Sequence, residues 1–258
     1  MESVDVTTGF GVTHMQVCGP TGGTPLVLIP GGGATSAVWF ANVGELSQNH
    51  RVYAIDPIND VGRSEPSGPP IRDRSGLMQW LDEVFAGLGL YLAKLCGHSY
   101  GGWVALNYAM HAPQRVSRLA LLDPTDCFAG LSLRYRLHAL AVVVRPDRRR
   151  MRALLHWETG GRSIDSAWLD LISIGSELPR PRIVLPRRPA TEELRAMGVP
   201  TLVLVAEHSR AHDSGRLAER ASELMRDVQT AVLRGASHHS IPTEDPEQLN
   251  RELTQFFS

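Results

Sequence analysis

The chain has 258 residues, 43% of them hydrophobic and 21% charged, the values of an ordinary globular protein with enough apolar material for a sizeable core. Its formal charge of −1 supplies no net field to draw it to a phosphate backbone or an anionic membrane, so neither nucleic acid nor membrane is an expected partner. Cys18, Cys96 and Cys127 lie far apart, lack metal-ligand spacing and are odd in number, which argues against a disulfide framework and for a reducing, cytoplasmic setting.

Residues 1–8 carry Glu2 and Asp5 and no apolar run, so no secretory signal or transit peptide is read there. No segment approaches the roughly 18 uninterrupted apolar residues of a membrane helix. Residues 4–18 read as a hairpin turning at Thr8-Gly9. Short β-rich apolar runs then follow at 26–29, 52–55, 92–96, 116–122, 201–205 and 228–233. Between them, helical patterns run over 36–47, 74–88, 100–111, 214–225 and 245–257, the last opened by Asp245-Pro246 as cap and first-turn proline. This alternation predicts an α/β fold: a mostly parallel twisted sheet, antiparallel at its start, flanked by helices.

The rhythm breaks between Pro124 and Pro200, where strand signals vanish and 131–144, 148–158 and 166–177 read as helices. A helical cap inserted after the sixth strand is expected, with 1–123 and 200–258 as the core and 124–199 as cap and linker. The prolines of Leu178-Pro-Arg-Pro-Arg and Leu185-Pro-Arg-Arg-Pro suit a linker returning to the sheet. Within the cap, Trp157 and Trp168 read as packing residues. The basic run 145–152 reads as a solvated helix face rather than an anion site.

Chemistry concentrates at Gly97-His98-Ser99-Tyr100-Gly101, a strand running through G-x-S-x-G into a helix. A serine in so sharp a turn is strained, and its neighbours two before and two after must be small; Gly97 and Gly101 meet that need. The following helix aims free N–H groups and its positive end at the serine, where negative charge would develop. Gly31-Gly32-Gly33, after the strand at 26–29, can present a further main-chain N–H. Gly32 is the first choice and Gly33 the next, paired with the N–H of Tyr100 as an oxyanion hole. The triple glycine lacks the Lys-Ser/Thr of a P-loop. A serine hydroxyl needs a base, and of ten histidines only His238 and His239 sit between a late strand and the final helix. No carboxylate cluster or second histidine pair completes a metal site around them.

With these motifs in order, the chain resembles the α/β-hydrolase superfamily, as a small capped serine-esterase-like member. Asp56 with Gly62-Arg63-Ser64 loosely resembles the family's D-x-x-G-x-G-x-S loop without its first glycine. Gly235-Ala236-Ser237-His238 is similar to its G-A-G-H catalytic-histidine loop, which selects His238 as the base. The usual acid follows the strand after the cap, but there Ser209 takes its place. Asp123, at the end of 116–122, resembles in position the acid of haloalkane dehalogenases and pancreatic-type lipases and is the first choice. Asp213, four residues beyond the vacant position, is the alternative; Glu207 would have to leave its strand end, and Asp126 reads as a turn residue.

The resemblance implies a Ser99-His238-Asp123 triad, no cofactor and no metal, and an acyl-enzyme route to cleavage of a small-molecule ester or thioester. Acyl transfer, C–C hydrolysis, perhydrolysis and lyase or cyclase steps use the same groups. A non-catalytic ligand-binding protein is a third reading, prompted by Ser209. The sequence leaves monomer and homodimer both open.

Overall fold

The computed structural model describes residues 1–162, 164–178 and 183–258. In chain order the strands are β1 (Glu2–Thr8), β2 (Gly11–Cys18), β3 (Thr24–Ile29), β4 (His50–Ile55), β5 (Glu65–Pro66), β6 (Ala93–His98), β7 (Val116–Leu122), β8 (Thr201–Ala206) and β9 (Val228–Leu233). They form one sheet in the order β1-β2-β4-β3-β6-β7-β8-β9, with β5 against β2. β1 and β2 pair antiparallel, as do β2 and β4, and every pairing from β4 to β9 is parallel. The expected hairpin and the parallel body are therefore both present. Gly11 is required where β5 joins β2: its φ is +135°, and a Cβ would lie 2.2 Å from the Glu65 carbonyl oxygen.

The helices are α1 (Val43–Leu46), α2 (Arg74–Gly87), α3 (Tyr100–His111), α4 (Leu133–Val144), α5 (Arg148–Glu158), α6 (Ser166–Gly175), α7 (Thr191–Ala196), α8 (Ser214–Leu224) and α9 (Pro246–Phe257). Strand side chains alternate between faces, and the core divides accordingly. Val27, Ile29, Leu95 and Leu121 pack with Trp80 of α2, Trp103 of α3 and Leu217 of α8. Leu26, Leu28, Cys96 and Leu122 pack with Leu253 and Phe257 of α9 and with Leu155 and Trp168 of α5 and α6. Among the described residues, no helix is long and apolar enough to cross a membrane.

Four expectations change. The helix expected over 36–47 is a 3-10 turn, Ser36–Trp39, and the single turn α1. Between them, buried Asn42 donates from Nδ2 to Asn250 Oδ1 of α9 at 3.0 Å, a tertiary tie that local periodicity does not reveal. β5 adds a strand, so the helical insertion follows the seventh strand in chain order rather than the sixth. The stretch read as linker contains α7, whose Glu193 accepts from the Ala190 N–H at 2.8 Å and pairs with Arg74 of α2 at 2.9 Å. Part of that linker reading, 179–182, lies outside the described residues. Finally, β6 extends two residues past its expected end, to His98, and delivers the chain directly into the turn at Ser99.

The sheet order also locates the site. From β3 the chain goes to β4 on one side, while β6 lies on the other, so connections diverge at the β3–β6 junction. Such a switch point opens a crevice beyond the carboxyl ends of the strands. Gly31-Gly32-Gly33 and Ser99 follow those two ends.

Candidate active site

Ser99 sits between β6 and α3 with φ 53° and ψ −116°, a left-handed backbone rare for a residue with a side chain. Three main-chain bonds hold it there: its N–H donates to the Leu122 carbonyl of β7 at 2.9 Å, and its own carbonyl accepts from the Thr125 N–H at 3.1 Å and the Trp103 N–H at 3.2 Å. The glycines around it are sterically compelled. A Cβ on Gly97 would lie 2.2 Å from the Gly101 carbonyl oxygen, and one on Gly101 would lie 2.4 Å from the Ile29 and Pro30 oxygens.

The loop after β9 brings His238 to this turn. Its Nε2 lies 2.8 Å from Ser99 Oγ, and its Nδ1 lies 2.6 Å from Asp123 Oδ2. Asp123 follows β7 directly in a left-handed conformation, φ 44°, and is completely buried. The structure therefore brings Ser99, His238 and Asp123 into one hydrogen-bonded chain. Burial alone would raise the Asp123 pKa, but the His212 and His238 rings beside it hold the carboxyl well below the usual range. Burial lowers the His238 pKa, against the opposing pull of Asp123, and so favours a neutral ring.

The other acid candidates lie elsewhere. Asp213 caps α8, its Oδ1 accepting from the Arg216 N–H at 2.9 Å, whereas the ring nitrogens of His238 bond to Ser99 and Asp123. Glu207 is exposed and accepts from the Gly235 N–H at 2.8 Å. Asp126 occupies a turn with φ 49°. Ser209, standing where the usual acid is missing, donates from Oγ to Asp123 Oδ2 at 2.8 Å. The departure at Ser209 thus supplies a further donor to the carboxylate on β7.

Of the glycine loop, Gly33 is committed: its N–H donates to Asp60 Oδ2 at 2.7 Å. Gly32 has no such bond among the described residues, and a Cβ placed on it would lie 3.5 Å from that of Tyr100. The Tyr100 N–H opens α3 and has no intrahelical acceptor. Gly32, Ser99 and His239 line a cavity of about 30 Å³, closed over by Met151 of α5 and by Trp168 and Ile172 of α6. Trp168 therefore borders the space at Ser99, beyond the packing role expected of it. Trp157 instead stacks on His138, ring centroids 3.8 Å apart.

Residues 26–252 match the alpha/beta hydrolase family. The chain belongs to that family. It is 30% identical over 263 residues to carboxylesterase YbfK of Bacillus subtilis (strain 168), covering 99% of this chain and 87% of that one. The solved structure of naproxen esterase (carboxylesterase NP) from Bacillus subtilis superposes with a TM-score of 0.91 at 28% identity, over 100% of this chain and 91% of that one. A meta-cleavage product hydrolase from Pseudomonas fluorescens IP01 shares the fold, with a TM-score of 0.85 at 19% identity over 98% and 97% of the two chains.

Within this alpha/beta hydrolase, three residues that sequence patterns pass over surround His238. His98, the first variable residue of the elbow, donates from Nε2 to the His238 carbonyl at 2.7 Å; burial and the nearby His238 ring push its pKa down to about 3, so it stays neutral. His212 places Nε2 2.9 Å from Asp123 Oδ1, though without hydrogen-bond alignment. Asp123, His212 and His238 are also a group whose donor atoms lie within 4.8 Å of one another, as metal ligands could, but a metal there would have to displace the bond between Asp123 and His238.

The third is Glu158, the last residue of α5, with no exposed surface. It accepts from the His238 N–H at 2.7 Å, from Ser237 Oγ at 2.9 Å and from the His239 N–H at 3.4 Å. Burial opposes its charge, yet the His239 and His238 rings and the Ser237 hydroxyl hold its pKa below the usual value. Glu158→Ala would leave these buried donors unsatisfied and is expected to lower unfolding free energy by about 3 kcal/mol. Urea unfolding checks this; an unchanged midpoint and slope would show that Glu158 does not anchor the loop. Only a tertiary structure reveals the residue, because nothing local distinguishes it from other charges in the insertion. The basic run before it is largely paired: Arg148 meets Glu177 at 2.6 Å, Arg150 pairs with Asp147 and Arg152 with Asp170. This agrees with a solvated face.

Proposed function

We propose that the chain hydrolyses small carboxylic esters or thioesters through a Ser99-His238-Asp123 triad and an acyl-enzyme. The observation that carries this reading is the continuous relay from Ser99 Oγ to His238 Nε2 at 2.8 Å and from His238 Nδ1 to Asp123 Oδ2 at 2.6 Å. Neutral His238 takes the Ser99 proton as Oγ attacks the carbonyl carbon, while Asp123 fixes the tautomer and stabilises the imidazolium. The N–H groups of Gly32 and Tyr100 receive the oxyanion. Collapse expels the alcohol or thiol, which takes its proton from His238. Water, deprotonated by the same ring, then releases the acid and regenerates Ser99. Full-length similarity to carboxylesterases supports the ester class. The unpaired cysteines support the cytoplasmic setting.

In this reading residues 124–199 act as a cap on a core formed by 1–123 and 200–258. Met151, Trp168 and Ile172 border a small space of about 30 Å³ at Ser99, so the acyl group must be short or α5 and α6 must yield to it. Trp168→Ala is expected to raise the ratio of kcat/KM for p-nitrophenyl octanoate over p-nitrophenyl acetate by about tenfold or more. An unchanged ratio would remove the cap from chain-length selection.

Esterase kinetics against pH test the proposed base. His238 must be neutral to accept the proton, and its pKa is lowered by burial. Activity should therefore persist as pH falls through the ordinary histidine range, with the acid limb of kcat/KM centred below about 6.5. A limb centred above that value would contradict the proposed environment of the base.

A further inference from the structure

A second cavity, of about 390 Å³, is bordered by Phe128, Arg188, His212, Asp213, Arg216 and Arg220 and shares no lining residue with the space at Ser99. Its charge is one-sided. Three guanidinium groups face one carboxylate, and that carboxylate is already occupied in capping α8. Arg220 pairs with Glu223 at 2.9 Å, whereas Arg188 and Arg216 have no carboxylate within salt-bridge distance among the described residues. His212, whose side chain is wholly buried, contributes to the wall; its Nε2 lies 2.9 Å from Asp123 Oδ1, and its Nδ1 has no hydrogen-bond partner among the described residues. A buried polar atom without a partner is costly unless something completes it. An anion meets both needs, because arginine forks match oxyanions and an oxyanion accepts from a ring N–H.

We propose that this cavity binds a compact oxyanion, a phosphate or a carboxylate group, between Arg188 and Arg216, and that its occupancy lowers turnover at Ser99 through His212. With the anion bound, the His212 ring is drawn into alignment with Asp123 Oδ1, from which its Nε2 already lies 2.9 Å. Asp123 then divides its charge between two rings, His212 and His238, whose centroids are 5.6 Å apart. His238 loses part of the support that makes it a base. The charged and titratable groups facing His212 are Asp123 from the end of β7, His238 from the β9–α9 loop, Asp213, Arg216 and Arg220 at α8, and Arg188 before α7. The inhibitory half rests on the hydrolase reading; the binding half stands without it.

Isothermal titration of the full chain with inorganic phosphate and, separately, with acetate tests the binding half, in chloride held at constant ionic strength. Saturable one-site binding of either probe is expected, weakened about tenfold or more in Arg188→Ala/Arg216→Ala. Absence of saturable binding by both, or binding unaltered in the double variant, overturns the site. For the second half, the measured quantity is the ratio of p-nitrophenyl acetate turnover with and without a saturating concentration of the probe that binds. A fall of about fivefold or more is expected in the wild type and a ratio near one in the double variant. Binding with a wild-type ratio of one overturns the coupling through His212 while leaving the site itself in place.

Discussion

Ser99→Ala is expected to lower kcat for p-nitrophenyl acetate by about 10⁵ to 10⁶. Removing Oγ removes the atom proposed to form the acyl-enzyme, and His238 Nε2 then faces a methyl group in place of the hydroxyl 2.8 Å away. The fold should tolerate the change. The backbone strain at φ 53° is already present with serine, and alanine at the same angles adds no atom. Circular dichroism and the unfolding midpoint should therefore match the wild type. Residual activity within about tenfold of the wild type, in a folded variant, would be incompatible with a covalent serine mechanism.

Asp123→Asn carries the second largest effect, a fall in kcat of about 10⁴ with the Gly32 and Tyr100 donors left intact. The amide can place an NH₂ group toward Nδ1, which favours the tautomer with its proton on Nε2 and leaves no lone pair for the Ser99 proton. The neutral side chain also no longer stabilises the imidazolium. Asp213→Asn should keep wild-type kcat, because Asp213 serves only as a cap on α8 and borders the second cavity. The comparison discriminates between the two carboxylates: a collapse in Asp213→Asn with Asp123→Asn near normal would reverse the assignment. Ser209→Ala should have a smaller effect than Asp123→Asn, since the carboxylate keeps the Ala206 N–H at 3.1 Å.

Motifs whose chemistry is local are legible in the sequence. The elbow requires two glycines around a serine, and the close approaches of Gly97 and Gly101 show why no larger residue fits. The preference for Gly32 over Gly33, made on sequence, gains support from the bond that commits the Gly33 N–H to Asp60, 27 residues away in sequence. The carboxylate was harder because a triad member is defined by where a strand ends rather than by its neighbours. Asp123 and Asp213 are both candidates on sequence, and they part only in three dimensions, where His238 Nδ1 lies 2.6 Å from Asp123 Oδ2 while Asp213 caps α8. Glu158, His98 and His212 gave no signal at all. Each acts on a partner 79 or more residues away in the chain, beyond the reach of periodicity or spacing. The helix expected over 36–47 failed for the same reason, when Asn42 found its partner in α9.

Labelling with a fluorophosphonate bears most directly on the central assignment. Phosphonylation consumes an activated serine and leaves a stable adduct. In the folded wild-type chain a single adduct is expected, located by peptide mass spectrometry on Ser99, and it should be absent from Ser99→Ala and slowed in Asp123→Asn. A folded chain that acquires no adduct on Ser99, or that hydrolyses p-nitrophenyl acetate at an unchanged rate after Ser99 is labelled, would contradict the proposed nucleophile.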